Sequence, residues 1–138
     1  MKQDCIFCKI VEKAIPANII YEDLDVIAFL DINQTTKGHT LVIPKEHHET
    51  YLATPRETMH RVMDVAQKIG QAQMKQLLAR GVNIIINNYP PAGQVIPHFH
   101  VHVIPRYDKT DGLSIEMVEK THPDFNLPVL ANQIRKGL

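Results

Sequence analysis

With 138 residues, a 44% hydrophobic fraction and 15 basic against 15 acidic residues, the chain has the composition of a soluble globular protein with room for a proper core. The balanced charge, with no basic stripe, argues against nucleic acid as a partner, and no run of ~20 apolar residues offers a membrane span. Met1-Lys2-Gln3-Asp4 leads straight to Cys5 without a signal peptide, so a cytoplasmic location is expected, and two cysteines there suggest metal or redox chemistry before a structural disulfide.

No internal repeat, low-complexity tract or linker divides the chain, so residues 1–138 are expected to form one domain. Ile19 to Glu22 and Val26 to Leu30 are predicted as short strands separated by the turn residues Asp23 and Asp25. Thr40-Leu41-Val42-Ile43 is a third strand, closed by Pro44. The clearest helix is predicted to start at Thr54 as N-cap, with Pro55 at the first helical position and Glu57 completing a capping box. Met59, Val62, Met63, Ala66, Ile69 and Leu77 continue it at helical spacing, and Gly81 is placed to end it after Arg80. Val82 to Asn87 is a fourth strand, and the loop Asn88-Tyr89-Pro90-Pro91-Ala92-Gly93-Gln94 follows it. A fifth strand carries His98-Phe99-His100-Val101-His102 and stops at Pro105. Beyond it, His122-Pro123 breaks an irregular tail and Val129 to Lys136 forms a short final helix. Short strands around one long helix predict an α+β fold, and the short early connections require mainly antiparallel pairing.

Three clusters carry possible chemistry. Alternation along a strand puts His98, His100 and His102 on one face, roughly 6–7 Å apart, and Phe99, Val101 and Val103 on the other. Such a row suits half-buried edge histidines, a shared metal ion, or a neutral imidazole nucleophile with a neighbour handling the proton. The loop before it favours the last of these. Gly93 lets backbone N–H groups approach an anion, and Asn87 and Asn88 offer amides to the same region, as a phosphate seat requires. The second cluster runs from Asp31 to His39; its carboxylate can accept both hydroxyls of a ribose, with Phe29 and Ile32 flanking a base. The third is Cys5-Ile6-Phe7-Cys8, which is open between a redox pair, a zinc half-site and two buried thiols. A four-ligand zinc site needs two histidines from elsewhere, with His47, His48 and His98 as candidates.

His98-Phe99-His100-Val101-His102-Val103-Ile104 resembles the signature of the histidine triad (HIT) family. Gly93-Gln94 before it, Pro105-Arg106 after it, Gly38 to Lys45 and Phe29-Leu30-Asp31-Ile32 fit as well, so the resemblance covers Cys5 to about Tyr107 and leaves a tail from 108 to 138. It is most similar to bacterial members of the nucleoside-phosphoramidase-like type with an N-terminal Cys-x-x-Cys. The resemblance implies a five-stranded antiparallel sheet and a homodimer. It also implies a hydrolase or transferase acting on purine nucleoside phosphoramidates or dinucleoside polyphosphates, with His100 attacking the α-phosphorus and a nucleotidyl-histidine releasing a nucleoside monophosphate. His102 and His39 would support the site, and Phe29, Asp31, Ile32, Asn87, Gly93, Gln94 and the Val95 backbone would hold substrate. One structural zinc per chain would map onto Cys5, Cys8, His47 and His98. Many relatives carry Ser or Thr where this chain has Val95, which removes a hydroxyl from the leaving-group side. The rival reading is a nucleotide-binding regulatory or scaffolding dimer with incidental hydrolysis.

Overall fold

A computed structural model describes residues 2–118 and 125–138. In chain order the elements are α1 (Ile6–Val11), β1 (Ile19–Glu22), β2 (Val26–Leu30), β3 (Thr40–Pro44), α2 (Arg56–Gln76), β4 (Gly81–Ile85), β5 (Val101–Arg106) and α3 (Leu127–Arg135), with single 3₁₀ turns at Tyr51–Ala53 and Pro90–Ala92. The strands form one antiparallel sheet in the order β1-β2-β3-β5-β4, as the α+β expectation requires. Asp23 closes the β1–β2 hairpin, its Oδ1 accepting from the N–H groups of Asp25 and Val26 at 2.8 Å each.

Period-two patterning on β2 and β3 sorts side chains between two cores. Val26, Ala28 and Val42 point to one face, where Phe99, Val101 and Val103 meet Val62, Val65, Ala66 and Ile69 of α2. Ile27, Phe29, Leu41 and Ile43 point to the other, where Phe7, Cys8 and Ile10 of α1 cover them. The central strands are therefore apolar throughout because helices shield both faces. Each fully buried Val, Ile or Phe here contributes about 1.5–3 kcal/mol relative to exposure. Since Phe99, Val101 and Val103 face α2, the triad histidines face α1.

Several boundaries differ from the sequence-based expectations. Pro55, not Thr54, is the N-cap of α2, with its carbonyl accepting from Met59 N–H at 3.0 Å and no side-chain cap. The 3₁₀ turn capped by Thr50 captures Thr54, whose hydroxyl donates to the Thr50 carbonyl at 2.7 Å. Glu57 forms no capping box and pairs instead with Arg61 at 2.8 Å. Helix α2 ends at Gln76, with Leu77 as C-cap and Leu78 taking the left-handed conformation (φ 59) expected of a terminating glycine. Gly81 already belongs to β4, because Arg80 N–H is donated to the Arg106 carbonyl at 2.8 Å and the chain must be extended there. Strand β4 stops at Ile85, releasing Asn87 into the loop, and Pro44 lies within β3, paired with Val26.

The histidine strand is laddered only from Val101 and runs through Arg106. His98 to His100 lead into it outside the ladder, where Phe99 N–H is donated to the His48 carbonyl at 2.7 Å. Helix α1 was not foreseen, and α3 begins at Leu127, two residues before the predicted start. The His122-Pro123 break lies outside the described residues.

Candidate active site and metal cluster

Loop backbone and strand register bring the histidines to the mouth of a cavity of about 490 Å³. Phe7 and Ile10 of α1 line it with Phe29, Leu41 and Ile96, while Asp31, Asn87, His100 and His102 supply its polar wall. Phe29 is 3% exposed and forms the floor, whereas Ile32 and Val95 stand at the rim, 87% and 88% exposed. Gly93 also lines the cavity, at φ +98, with the Asn87 amide 3.6 Å from where a Cβ would sit. That conformation suits glycine and leaves the loop backbone open toward the cavity.

Hydrogen-bond accounting assigns a tautomer to each ring. His98 Nε2–H is donated to the Pro44 carbonyl at 2.8 Å, so its Nδ1 lone pair points to the Cys5 and Cys8 sulfurs, 3.4 and 3.6 Å away. His100 Nδ1–H is donated to the His98 carbonyl at 2.7 Å, which leaves the Nε2 lone pair without a hydrogen-bond partner among the described residues. His39 Nδ1 accepts from Thr35 N–H at 3.3 Å, so its Nε2–H is donated to His102 Nδ1 at 2.9 Å. His102 therefore carries its proton on Nε2. Phe7 packs edge-on against both His98 and His100, with ring centroids 5.8 and 5.2 Å away.

Burial keeps these rings neutral. His100 and His39 are pushed below the ordinary histidine range by desolvation, and Asp31 only partly opposes this. His102 is pushed down to about 4, first by burial and then by the neighbouring His100 and His39 rings. Neutral imidazole is the nucleophilic form. A stability consequence follows from the sign of these shifts. Above about pH 6.5 the rings are neutral in both folded and unfolded states, so pH has no leverage through them. Below that value the unfolded chain takes up protons first, and stability falls until the folded His102 titrates near 4. The thermal midpoint is expected to drop steadily as the pH is lowered from about 6.5 to about 4.5, and a flat or rising midpoint across that interval would contradict this burial.

A second group lies beside the cavity, on the same α1-covered face of the sheet. Cys5, Cys8, His47 and His98 present four ligand atoms within 4.8 Å of one another, with Cys8 and His98 fully buried. Cys8 Sγ lies 3.3 Å from His47 Nδ1, and the His47 and His98 rings sit 4.9 Å apart at 88°. Desolvation lowers His47 and takes His98 down to about 4, the neutral ligand form, and it raises the Cys8 thiol. These four residues could hold a metal ion. His48 stays outside the group, with its Nε2 lying 3.8 Å from the Glu46 carboxylate.

The profile of the HIT domain matches residues 12–109. The chain belongs to the HIT domain family. It is 46% identical over 126 residues to the "Protein hit" of Bacillus subtilis (strain 168), an alignment spanning 91% of this chain and 86% of that one. It is 37% identical over 109 residues to an Arabidopsis thaliana protein named adenylylsulfatase HINT3, spanning 79% of this chain and 55% of that one. A Zn-bound histidine triad family protein from Mycobacterium smegmatis has a crystal structure that superposes with a TM-score of 0.76 at 42% identity, covering 85% of this chain and 84% of that one.

In this HIT domain the sequence-predicted residues divide. Phe29, Asp31, Ile32, Asn87, Gly93, Val95, His100 and His102 all line the cavity. His39 stands behind it, holding His102. Gln94 does not reach it: its Oε1 accepts from Tyr89 N–H at 2.7 Å and its Nε2 is donated to the Glu49 and Ile96 carbonyls at 2.7 and 3.0 Å. Its amide braces the loop outside the cavity lining, where the expectation had placed it. The sequence reading missed the wall built by Ile6, Phe7, Ile10, Ile15, Pro16 and Ala17. The signal was present, since Ile6, Phe7 and Ile10 share one side of a single helical turn, but six residues are too few for a periodicity argument.

Proposed function

We propose that this HIT domain protein is a hydrolase or transferase acting at the α-phosphate of purine nucleotide derivatives through a covalent nucleotidyl-histidine on His100. The observation that carries the reading is the His100 Nδ1–H bond to the His98 carbonyl, 2.7 Å, which aims an unshared Nε2 lone pair at a cavity sized for a nucleoside. The base lies on Phe29 among the aliphatic side chains, with Ile32 at the rim. Asp31, whose Oδ1 is held by Asn33 N–H at 2.8 Å, accepts from the ribose. Asn87 and the backbone of Gly93 and Val95 hold the phosphate, and His102 Nε2–H is donated to a phosphoryl oxygen. The A. thaliana relative's name supports hydrolysis of an adenylyl compound, and phosphoramidates and dinucleoside polyphosphates are the leading substrate classes. Rapid acid quench with α-labelled substrate tests the reading: a labelled, acid-labile protein adduct is expected, and hydrolysis without one would overturn it.

Zinc fits the second group. With bonds of about 2.3 Å to sulfur and 2.0–2.1 Å to nitrogen, a tetrahedral ion separates its sulfur and nitrogen ligands by about 3.5–3.6 Å. The sulfur–nitrogen distances here are 3.3, 3.4 and 3.6 Å. Cys5, Cys8, His47 and His98 would hold one structural zinc per chain, cross-linking α1 to the strand entry, and the Zn-bound M. smegmatis relative supports the assignment. Four protein ligands leave the ion no part in the reaction.

The protein acts as a cytoplasmic homodimer, with residues 1–138 forming one domain. Every residue of α3 is exposed, including Leu127, Val129, Leu130 and Ile134, and a nine-residue helix is too short to persist in water unsupported. Light scattering is expected to return twice the chain mass, and a monomer at micromolar concentration would refute the dimer.

A further inference from the structure

Whether His102 offers the cavity a proton or a lone pair is decided outside the cavity. His39 Nε2 and His102 Nδ1 share one hydrogen bond of 2.9 Å. Two neutral imidazoles joined in this way have two proton registers. In the first, His39 donates from Nε2, and His102 carries its own proton on Nε2 and presents an N–H to the cavity. In the second, both rings are protonated on Nδ1, and His102 presents a lone pair that repels a phosphoryl oxygen. The Thr35 N–H selects the first register, because it is donated to His39 Nδ1 at 3.3 Å and a proton already on that nitrogen would meet it head-on. Asp31 Oδ2, 3.7 Å from His39 Nε2, draws the proton the same way. His39 is buried, so solvent is no substitute for the Thr35 donor.

Thr35 is held by residues 107–113, which follow β5 and are not among the cavity lining. Gly112 (φ +107) packs so closely on Thr35 that a Cβ there would overlap the Thr35 carbonyl oxygen. The next two residues are tied to the same end of β5. The Thr36 hydroxyl donates to the Pro105 carbonyl at 2.6 Å, and the Tyr107 hydroxyl donates to the Lys37 carbonyl at 2.5 Å. Arg106 brackets Gly112 on both sides: its Nε donates to Asp111 Oδ1 at 2.9 Å and an Nη to the Leu113 carbonyl at 2.7 Å. Asp111 Oδ2 closes the turn by accepting from Tyr107 N–H at 2.6 Å.

We propose that the turn after β5 is a positioning device for the candidate active site: Gly112, bracketed by Arg106, holds Thr35 so that its N–H sets the proton register of the His39–His102 pair. The proposal rests on the reading of His102 as the donor to a phosphoryl oxygen. Gly112 is a positioning residue that acts through Thr35, His39 and His102 in turn. A methyl group at position 112 meets backbone and not the end of a flexible side chain, so the segment carrying Thr35 must move to admit it. Once the Thr35 N–H withdraws from His39 Nδ1, the second register becomes available, and both rings reach it by exchanging protons with solvent.

The test reads the register directly, in the full-length protein labelled with 15N-histidine and without substrate, by long-range proton–nitrogen spectra at neutral pH. The unaltered protein is expected to show His39 and His102 both protonated on Nε2, and Gly112→Ala to move both signals toward the Nδ1–H form. Tyr107→Phe removes one tie without adding a clash. It is expected to move the same signals less far, and it decides the matter alone should Gly112→Ala not fold. On an adenosine monophosphate phosphoramidate, Gly112→Ala is expected to lower kcat by about tenfold or more, less than the ~10²–10³-fold cost of deleting an oxyanion donor outright. KM is expected to stay within about threefold, as for an interaction made in the transition state. In a His102→Ala background, Gly112→Ala is expected to lower kcat by less than about twofold, because both changes act on one donor. Ring signals that keep the Nε2–H pattern in every folded variant would overturn the proposal and leave the reading of His102 standing. Equal losses of kcat in the two backgrounds would assign Gly112 to general stability and overturn it as well. A reversed register with kcat unchanged in Gly112→Ala and His102→Ala alike would overturn the reading of His102, and the proposal with it.

Discussion

Replacing His100 with alanine is expected to lower kcat/KM by at least about a thousandfold, about 4 kcal/mol of transition-state stabilisation, and to abolish the labelled adduct. The size of the effect comes from the geometry. His100 is 7% exposed, fixed on one side by the His98 carbonyl and on the other by the edge contact with Phe7. Both contacts hold the ring before substrate arrives, so the attack loses little to ordering. Neither His98 nor His102 can substitute. The His98 lone pair faces the two cysteine sulfurs, and His102 Nδ1 is occupied by His39. His102→Ala removes a donor to the phosphate but keeps the nucleophile, so it is expected to slow the adduct's formation without eliminating it. His100→Asn, closer in size and still polar, guards against loss of the cavity's shape. Nucleotide binding by either His100 variant shows that the site is intact. An adduct in those variants, or activity within tenfold of the unaltered protein, would place the chemistry elsewhere.

The parts of this site that could be read from sequence are those that depend on period-two alternation. Phe99, Val101 and Val103 had to face a core if His98, His100 and His102 faced a site, and the two layers of the fold obey this even where His98 to His100 lie outside the ladder. The strands β1 and β2 were legible on a different ground, as short apolar runs separated by the turn residues Asp23 and Asp25. What sequence could not supply was competition between neighbours. Thr54 has all the properties of an N-cap, but its hydroxyl is captured by the carbonyl of Thr50, which caps its own turn four residues earlier, and Pro55 begins the helix. Gly81 is a natural helix terminator, yet the sheet claims it, and Leu78 carries the left-handed turn at a steric cost. Gln94 sits beside the phosphate loop in sequence, but three backbone groups occupy its amide. Each miss has the same origin: a local preference is outbid by a tertiary partner that the sequence does not reveal.

Stripping the metal, or replacing Cys8 with serine, is expected to lower the thermal midpoint by about 10 °C or more and to take bound zinc from about one per chain to near none. The four candidate ligands come from separate parts of the chain: Cys5 and Cys8 from the start of α1, His47 from the segment after β3, and His98 from the entry to β5. Two of these segments are held by side-chain packing and not by the sheet's ladder. Helix α1 is only six residues long, and the stretch carrying His98 lies outside the sheet ladder. A metal bound only by the folded state stabilises in proportion to the logarithm of its concentration over its dissociation constant, so a tight site contributes several kcal/mol. Cys8 is fully buried, and serine there would be a harder, less suitable ligand with an unpartnered hydroxyl, which destabilises on its own account. Chelator therefore serves as the second arm. It should lower the midpoint of the unaltered protein toward that of the variant and leave the variant unmoved. Cobalt substitution, with the visible absorption of a two-thiolate tetrahedral site, reads the same ligands independently of stability. The candidate active site should register the loss as well, because His98 supplies the carbonyl that fixes His100, and Phe7 lies between the two cysteines in sequence while packing on the His100 ring. Protein purified without chelator that holds well under one zinc per chain, or a midpoint that chelator leaves unchanged, would show that the four residues are a packed thiol–imidazole cluster and not a metal site.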